Sequence, residues 1–434
     1  MAVSSISLSD YSDPPATYKA WLVCITAGLF FFYEFIQMNM ISSLNLDLMQ
    51  AFHIQATDLG ILSSCYFLSN VIFLLPAGQL LDRFSTRKII LISLGICVLG
   101  TFGFAFSNSL GVASVFRFLT GIGSAFCFLS CIRLASRWFP ARRMALISGL
   151  VVTMAMLGGW VAQAPLTHVI EWLGWRETIV VDGVLGLLIM LAIFCIVSDS
   201  PLNHQTNLSQ EKQTLSRLGY WQSLSAAYFK KQNWAGAVYT CLMNLPIFLM
   251  GATWGSLYLE QIDHFSRDAA TGITGMIFFG TVIGSPLAGW ISDTLGRRKL
   301  PMLIGAVFSF FLVLFIMYGN THSDLLLKGL FFLLGLITSA QVISYPTIAE
   351  SNPTAITAMS VSVISFTTIG GGAVFIPLFG KMMDAHWNHL LVNGVPVYAA
   401  SSYSHAMLIM PIAFIVAFFS ALCLRETYCQ KKDY

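Results

Sequence analysis

Gly78-Gln79-Leu80-Leu81-Asp82-Arg83-Phe84-Ser85-Thr86-Arg87-Lys88 has a counterpart in Gly289-Trp290-Ile291-Ser292-Asp293-Thr294-Leu295-Gly296-Arg297-Arg298-Lys299, with the two aspartates 211 residues apart. In both stretches glycine stands four residues before the aspartate, and a basic cluster lies four to six residues after it. Each follows a proline, Pro76 or Pro286, whose spacing to the aspartate differs by one residue. Both are polar links between long apolar runs. A unit repeated at about half the chain length, at equivalent places in two sets of apolar segments, implies parallel repeats about an axis normal to a membrane.

Twelve apolar runs surround these links, at 20–44, 57–81, 88–106, 110–136, 144–170, 176–197, 233–259, 268–292, 300–319, 324–349, 355–383 and 402–424. Crossing the hydrocarbon takes about 20 mostly apolar residues, so each run is a candidate span. Of the 434 residues 56% are hydrophobic and 10% charged, with a mean hydropathy of +0.74. Soluble chains carry about 25% charged residues. The balance excludes a soluble enzyme and a nucleic-acid binder, and it names the lipid bilayer as the chain's solvent. The predicted class is an all-α membrane protein of twelve transmembrane helices in two pseudo-symmetric six-helix halves. Its parts are a tail at 1–19, bundles at 20–197 and 233–424 joined by a polar linker at 198–232, and a tail at 425–434. The first nineteen residues are polar, so the first span itself is expected to direct insertion.

Lysine and arginine in the loops set the orientation. With the amino terminus inside, the cytoplasmic segments hold Lys19; Arg83, Arg87 and Lys88; Arg137, Arg142 and Arg143; Lys212, Arg217, Lys230 and Lys231; Arg297, Arg298 and Lys299; and Arg425, Lys431 and Lys432. The other side holds Arg176 and Arg267 alone. Both termini are therefore expected in the cytoplasm. Most of the nine cysteines lie within apolar runs as small hydrophobes. No Cys/His array has zinc spacing, and no cofactor is expected.

The doubled loop resembles the signature between helices 2 and 3 of the major facilitator superfamily, G-x-x-x-D-(R/K)-x-G-R-(R/K). The first copy departs from it at Ser85 and Thr86. Arg117-Phe118-Leu119-Thr120-Gly121-Ile122-Gly123 is similar to that family's helix 4 motif, and Gly174-Trp175-Arg176 to its helix 6 opening. The resemblance covers essentially the whole chain. It implies a secondary transporter working by alternating access. Gly78, Asp82, Arg83 and Arg87 would then latch the two halves, with Gly289, Asp293 and Arg297 the weaker counterpart. On the plainer reading these charges only fix topology and cap helices.

Charges inside the bilayer are costly and functional by default. Glu34 lies about fourteen residues into span 1, roughly 20 Å from its start. A carboxyl there suits a group that takes up and releases a proton or binds substrate; a fixed ion pair is the rival. Gln37 shares its face. Arg117 and Arg133, both on span 4, stand about 160° and about 24 Å apart, so they cannot serve one small site. The resemblance links Arg117 to proton coupling, while Arg133 could meet an anionic substrate or snorkel. By resemblance, spans 1, 4, 7 and 10 line a central cavity. Spans 7 and 10 would offer Asn244, Trp254, Tyr258, Gln341 and Tyr345, amides and rings that suit a small organic solute. His168 reads as a packing residue. The expected function is proton-coupled uptake of an amino acid, short peptide or organic acid by a monomer in a bacterial inner membrane. Uniport or export of an amine-bearing or siderophore-type solute, and a non-transporting sensor, are the alternatives.

Overall fold

The computed structural model describes residues 18–139, 144–199, 227–319, 323–352, 357–392 and 395–430. Among them are twelve helical segments long and apolar enough to cross a membrane. Span 1 is α1 (Tyr18–Asn39), continued by α2 (Ile41–Phe52); spans 2, 3 and 4 are α3 (Ala56–Arg83), α4 (Thr86–Ala105) and α5 (Leu110–Trp138). Span 5 is α6 (Met144–Val161) with α7 (Ala164–Leu173), and span 6 is α8 (Trp175–Ile196). Span 7 runs through α9 (Lys231–Met243), a π-helical turn (Ile247–Gly251) and α10 (Gly255–Gln261). Spans 8 and 9 are α11 (Arg267–Leu295) and α12 (Lys299–Tyr318). Span 10 is α13 (Asp324–Thr338), a 3-10 turn (Ser339–Ile343) and α14 (Ser344–Glu350). Span 11 is α15 (Thr357–Ala385), and span 12 is α16 (Ala400–Met407) with α17 (Ile409–Cys423). Between these last two, β1 (Leu391–Val392) pairs antiparallel with β2 (Val395–Pro396), Leu391 opposite Pro396.

Helix ends follow local chemistry. The Ser85, Ser109 and Ser266 hydroxyls accept from the backbone N–H of Lys88, Val112 and Ala269, capping spans 3, 4 and 8. Ser85, the departure from the signature loop, thus caps the span that follows it. In the second copy Gly296 has φ +60° and ends span 8 in the left-handed region. The breaks in spans 5 and 7 lie beside Pro165 and Pro246, which cannot donate to a helix ladder. Such breaks are tolerated within a bilayer where protein satisfies the freed backbone groups.

Small residues let the spans approach closely. A Cβ added at Gly284 of span 8 would stand 2.5 Å from the Leu336 carbonyl oxygen of span 10. The same logic governs the two seams between the halves. In one, span 2 runs along span 11, where a Cβ at Gly60 would come within 2.8 Å of Pro377 Cα and one at Gly372 within 2.7 Å of the Phe67 ring. In the other, span 5 meets span 8, and Gly159 abuts the Phe278 ring. Gly284→Ala is therefore expected to destabilise the second half by about 1–3 kcal/mol, seen as a lower melting temperature in detergent. Gly329→Ala, where a Cβ meets nothing within 4 Å, is expected to lower it not at all.

Candidate functional site

Glu34 and Gln37 lie on one face of span 1, as their spacing predicts, but that face turns into the first half and not toward the second. Their exposures are 1% and 0%. Spans 2, 3, 4 and 6 cover them. Glu34 Oε2 accepts from the Tyr66 hydroxyl (3.1 Å), which also reaches Ser124 Oγ (2.7 Å), and Asn70 donates to the same Ser124 (2.6 Å). The Gln37 amide donates to Asp182 of span 6, and its backbone carbonyl accepts from Arg117 Nη1 at 2.9 Å. Arg117, 0% exposed, lies over the Tyr66 ring at 5.0 Å and the Phe104 ring at 5.8 Å. Glu34 and Arg117 thus share one polar cluster, whereas direct substrate contact by Glu34 or Gln37 is closed off in this state. A single residue step along a helix turns the side chain by about 100°, and it is Phe35, with Phe31, that is less buried. Phe31 packs edge-on against Phe35 (4.9 Å) and against Phe128 of span 4 (5.6 Å). Asp182 is not among the sequence-derived candidates, although the rule that marks Glu34 applies equally to an aspartate inside span 6.

In the second half, the turns that interrupt spans 7 and 10 bring two candidates together: Gln341 Nε2 donates to Asn244 Oδ1 at 2.9 Å. The other three are elsewhere. Trp254 is fully buried and stacked on Phe379 at 5.7 Å, and Tyr258 meets the Tyr403 ring edge-on at 5.4 Å, both beyond the break in span 7. Tyr345 packs beside Ile348 and Val363, further along span 10 toward the face bearing the basic loops. Arg133 is half-buried on span 4, sixteen residues beyond Arg117.

Hydrogen bonds between the halves cluster on the face opposite the basic loops. Arg267 of span 8 pairs with Asp47 and also donates to the Ser43 carbonyl. Ser256 bonds Ser42 and Asn45; Gln163 donates to the Gly251 carbonyl (2.8 Å) and accepts from Thr274 (2.8 Å). Asp384 accepts from the Thr57 N–H (2.7 Å) and the Tyr398 hydroxyl (2.6 Å), and Tyr398 accepts from the Ala56 N–H (2.9 Å). Phe67 meets Phe248 and Trp160 meets Phe279 at the inner edge of this layer. His168 is no packing residue: it is exposed and pairs with Asp268 across the halves at 3.0 Å. Toward the basic face, a Cβ at Gly78, Gly149 or Gly289 would meet nothing within 4 Å. The described hydrogen bonds between the halves thus seal the face opposite the basic loops.

The doubled loop is accordingly engaged within each half. The Arg87 N–H donates to Asp199 (2.8 Å), and its guanidinium to the Phe194 carbonyl, at the end of span 6. The side chains of Asp82 and Arg83 lie outside the described residues. In the second copy Arg298, and not the exposed Arg297, holds Asp293 (2.5 Å) together with Glu350 (2.7 Å) and Ser292 (3.0 Å). Burial opposes the Arg298 charge, but Glu350 and Asp293 outweigh it and hold its pKa above the ordinary value. Burial likewise pushes Glu426 up, yet the N–H groups of Arg298 and Lys299 prevail and hold it below the usual carboxylate range.

Glu260, half-buried at the end of α10, shares the closed layer with Arg267, Asp47 and Glu171. Arg267 is the cation that ties α2 of the first half to span 8 of the second, through Asp47 and the Ser43 carbonyl. Electron–electron distances between spin labels at Ala51 and Asn388, with exposed native cysteines replaced by serine, are expected to lengthen in Arg267→Gln.

The sequence profile described as the Major Facilitator Superfamily matches residues 25–377. The chain is 24% identical to the 4-hydroxybenzoate transporter PcaK of Acinetobacter baylyi over 92% of each chain. It is 26% identical to the "Probable sulfoacetate transporter SauU" of Cupriavidus necator, over 58% of this chain and 60% of that protein's length. Among solved structures, a bacterial homologue of the human lysosomal transporter Spinster, described as inward-facing and unoccupied, superposes with a TM-score of 0.75. That match covers 94% of this chain and 98% of the other at 15% identity. Profile, relatives and twelve-span fold agree: the chain belongs to the major facilitator superfamily and is a multi-pass membrane transporter, not an enzyme.

Proposed function

We propose that the protein takes up a small organic anion together with protons, by alternating access, across a bacterial inner membrane with both termini in the cytoplasm. The observation that carries this reading is the sealed Glu34–Arg117–Asp182 cluster. A carboxyl at 1% exposure, enclosed by five spans of one half, is reachable by a proton and not by an organic solute. A group that binds protons apart from the crevice suits coupling better than cargo binding.

The substrate class rests on other features. Arg133 is the cation that span 4 carries beyond the buried cluster, and Phe31, Phe35 and Phe128 supply aromatic surface on spans 1 and 4. Asn244 and Gln341 add an amide pair from the second half. A guanidinium, aromatic faces and amides together recognise a carboxylate or sulfonate on a compact organic body. The relatives described above are named for 4-hydroxybenzoate and sulfoacetate, both organic acids. Of the three solute classes that the sequence allows, the organic acid fits best. Closure of the sealed face then alternates with closure of the basic face, where Gly78, Asp82, Arg83 and Arg87, with Gly289, Asp293 and Arg298, would join the halves.

Reconstituted protein, with an inward proton gradient and 4-hydroxybenzoate or sulfoacetate as probe, is expected to accumulate one of them uphill and to alkalinise the outside medium. Glu34→Gln should abolish accumulation while leaving exchange of solute across the membrane. Arg133→Gln should raise KM by about tenfold, the loss of one charge-assisted contact. Uptake that ignores the gradient would refute coupling.

A further inference from the structure

The function above uses the buried cluster through Glu34, yet the cluster holds a second carboxyl. Asp182 of span 6 is 6% exposed and accepts from the Gln37 amide, one helical turn along span 1 from Glu34. The titratable groups around the pair come from every helix packed there: Tyr33 on span 1, Cys65 and Tyr66 on span 2, Cys97 on span 3, and Arg117 and Cys127 on span 4. Thiols and phenols are neutral at neutral pH. The charge balance is therefore set by two carboxyls and one guanidinium.

With both carboxyls ionised, the sealed bundle would hold one uncompensated negative charge, which a low-dielectric interior does not tolerate. With one proton bound the cluster is neutral. The hydrogen bonding points the same way. Glu34 Oε1 and Gln37 Oε1 are buried acceptors without a partner, and Arg117 leaves Nε and Nη2 unpartnered. A carboxylic O–H would give one of those acceptors its donor, and the idle guanidinium donors can serve whichever carboxyl is ionised.

We propose that Glu34 and Asp182 form a single proton-binding site, sharing one proton across the Gln37 amide beside Arg117. Transfer within it breaks an O–H bond on one carboxyl and forms one on the other, and the net charge does not change. Release removes H⁺ and leaves both as carboxylates, a state that only a wetter or rearranged bundle could hold. Asp182 is thus a second proton carrier in span 6, and Gln37 a positioning residue that keeps the two carboxyls in register.

The inference rests on the proton-coupled reading, and its test needs neither transport nor substrate. Infrared difference spectra of the full chain in lipid nanodiscs at pH 7, all on a Glu260→Gln background that removes the half-buried carboxyl of α10, report the C=O stretch of protonated buried carboxyls. That parent should show a band that disappears on adding Glu34→Gln and equally on adding Asp182→Asn, because either change leaves one carboxylate balanced by Arg117. Arg117→Gln should increase the band about twofold, since neutrality then requires both carboxyls to be protonated. Labelling aspartate carboxyls with carbon-13 in the unmutated chain should shift part of the band, which guards against a variant that fails to fold. A band that survives Asp182→Asn and ignores the label overturns the proposal by giving the proton to Glu34 alone. One that survives Glu34→Gln overturns it by making Asp182 permanently protonated, and no band at all overturns it too. A shared band with gradient-indifferent uptake would instead defeat coupling and leave the site standing.

Discussion

Arg117 sits with no exposure in a bundle whose surroundings are lipid, and that single buried guanidinium constrains everything near it. An unpaired charge at such depth costs several kcal/mol after relaxation. The chain meets this with contributions from four other spans: the Gln37 carbonyl, the faces of Tyr66 and Phe104, and the two carboxyls Glu34 and Asp182. Because those groups come from helices far apart in sequence, the cluster fixes the rotation of each span. The first half is therefore built around a polar centre, while its outer surface remains apolar enough for lipid.

The second half is organised differently. Among the described residues, a connected charged network lies at its basic face, where Arg298 gathers Asp293 and Glu350 and the Glu426 carboxylate caps the start of span 9. Its interior at mid-membrane is held by small-residue packing, as at Gly284, and by the amide pair Asn244–Gln341 between two interrupted spans. One half thus carries charge at its centre, and the other an amide pair between two interrupted spans.

Much of this was legible in the sequence. Twelve apolar runs, the doubled loop and the distribution of lysine and arginine define the architecture, since each depends on length, composition or spacing along the chain. What could not be read was rotation about helix axes. Glu34 and Gln37 lie on one stripe in either case, but whether that stripe faces the crevice or the bundle depends on which neighbours cover it. The same limit separates Arg298 from Arg297, adjacent in sequence, of which one is buried in a network and the other exposed. Asp47 and Arg267 became a pair only through folding, although two lone arginines on the sparsely charged side, Arg176 and Arg267, were a usable signal.

The placement of Glu34 changes what a coupling mechanism must explain. A carboxyl that touched the solute could couple by direct competition between proton and cargo. A carboxyl sealed behind span 1 can only act through the helix that carries it. Span 1 presents Glu34 and Gln37 to the interior while Phe31 and Phe35 meet Phe128, and its continuation α2 holds Asp47 in the closed layer opposite the basic face. On the proposed reading, a change in the charge of the cluster alters how well the Glu34–Gln37 face packs against spans 2, 4 and 6, and any rotation or shift of span 1 is transmitted to both the crevice lining and the Asp47–Arg267 pair. Proton site, solute surface and closure then share one rigid element, which is the physical requirement for linking their equilibria.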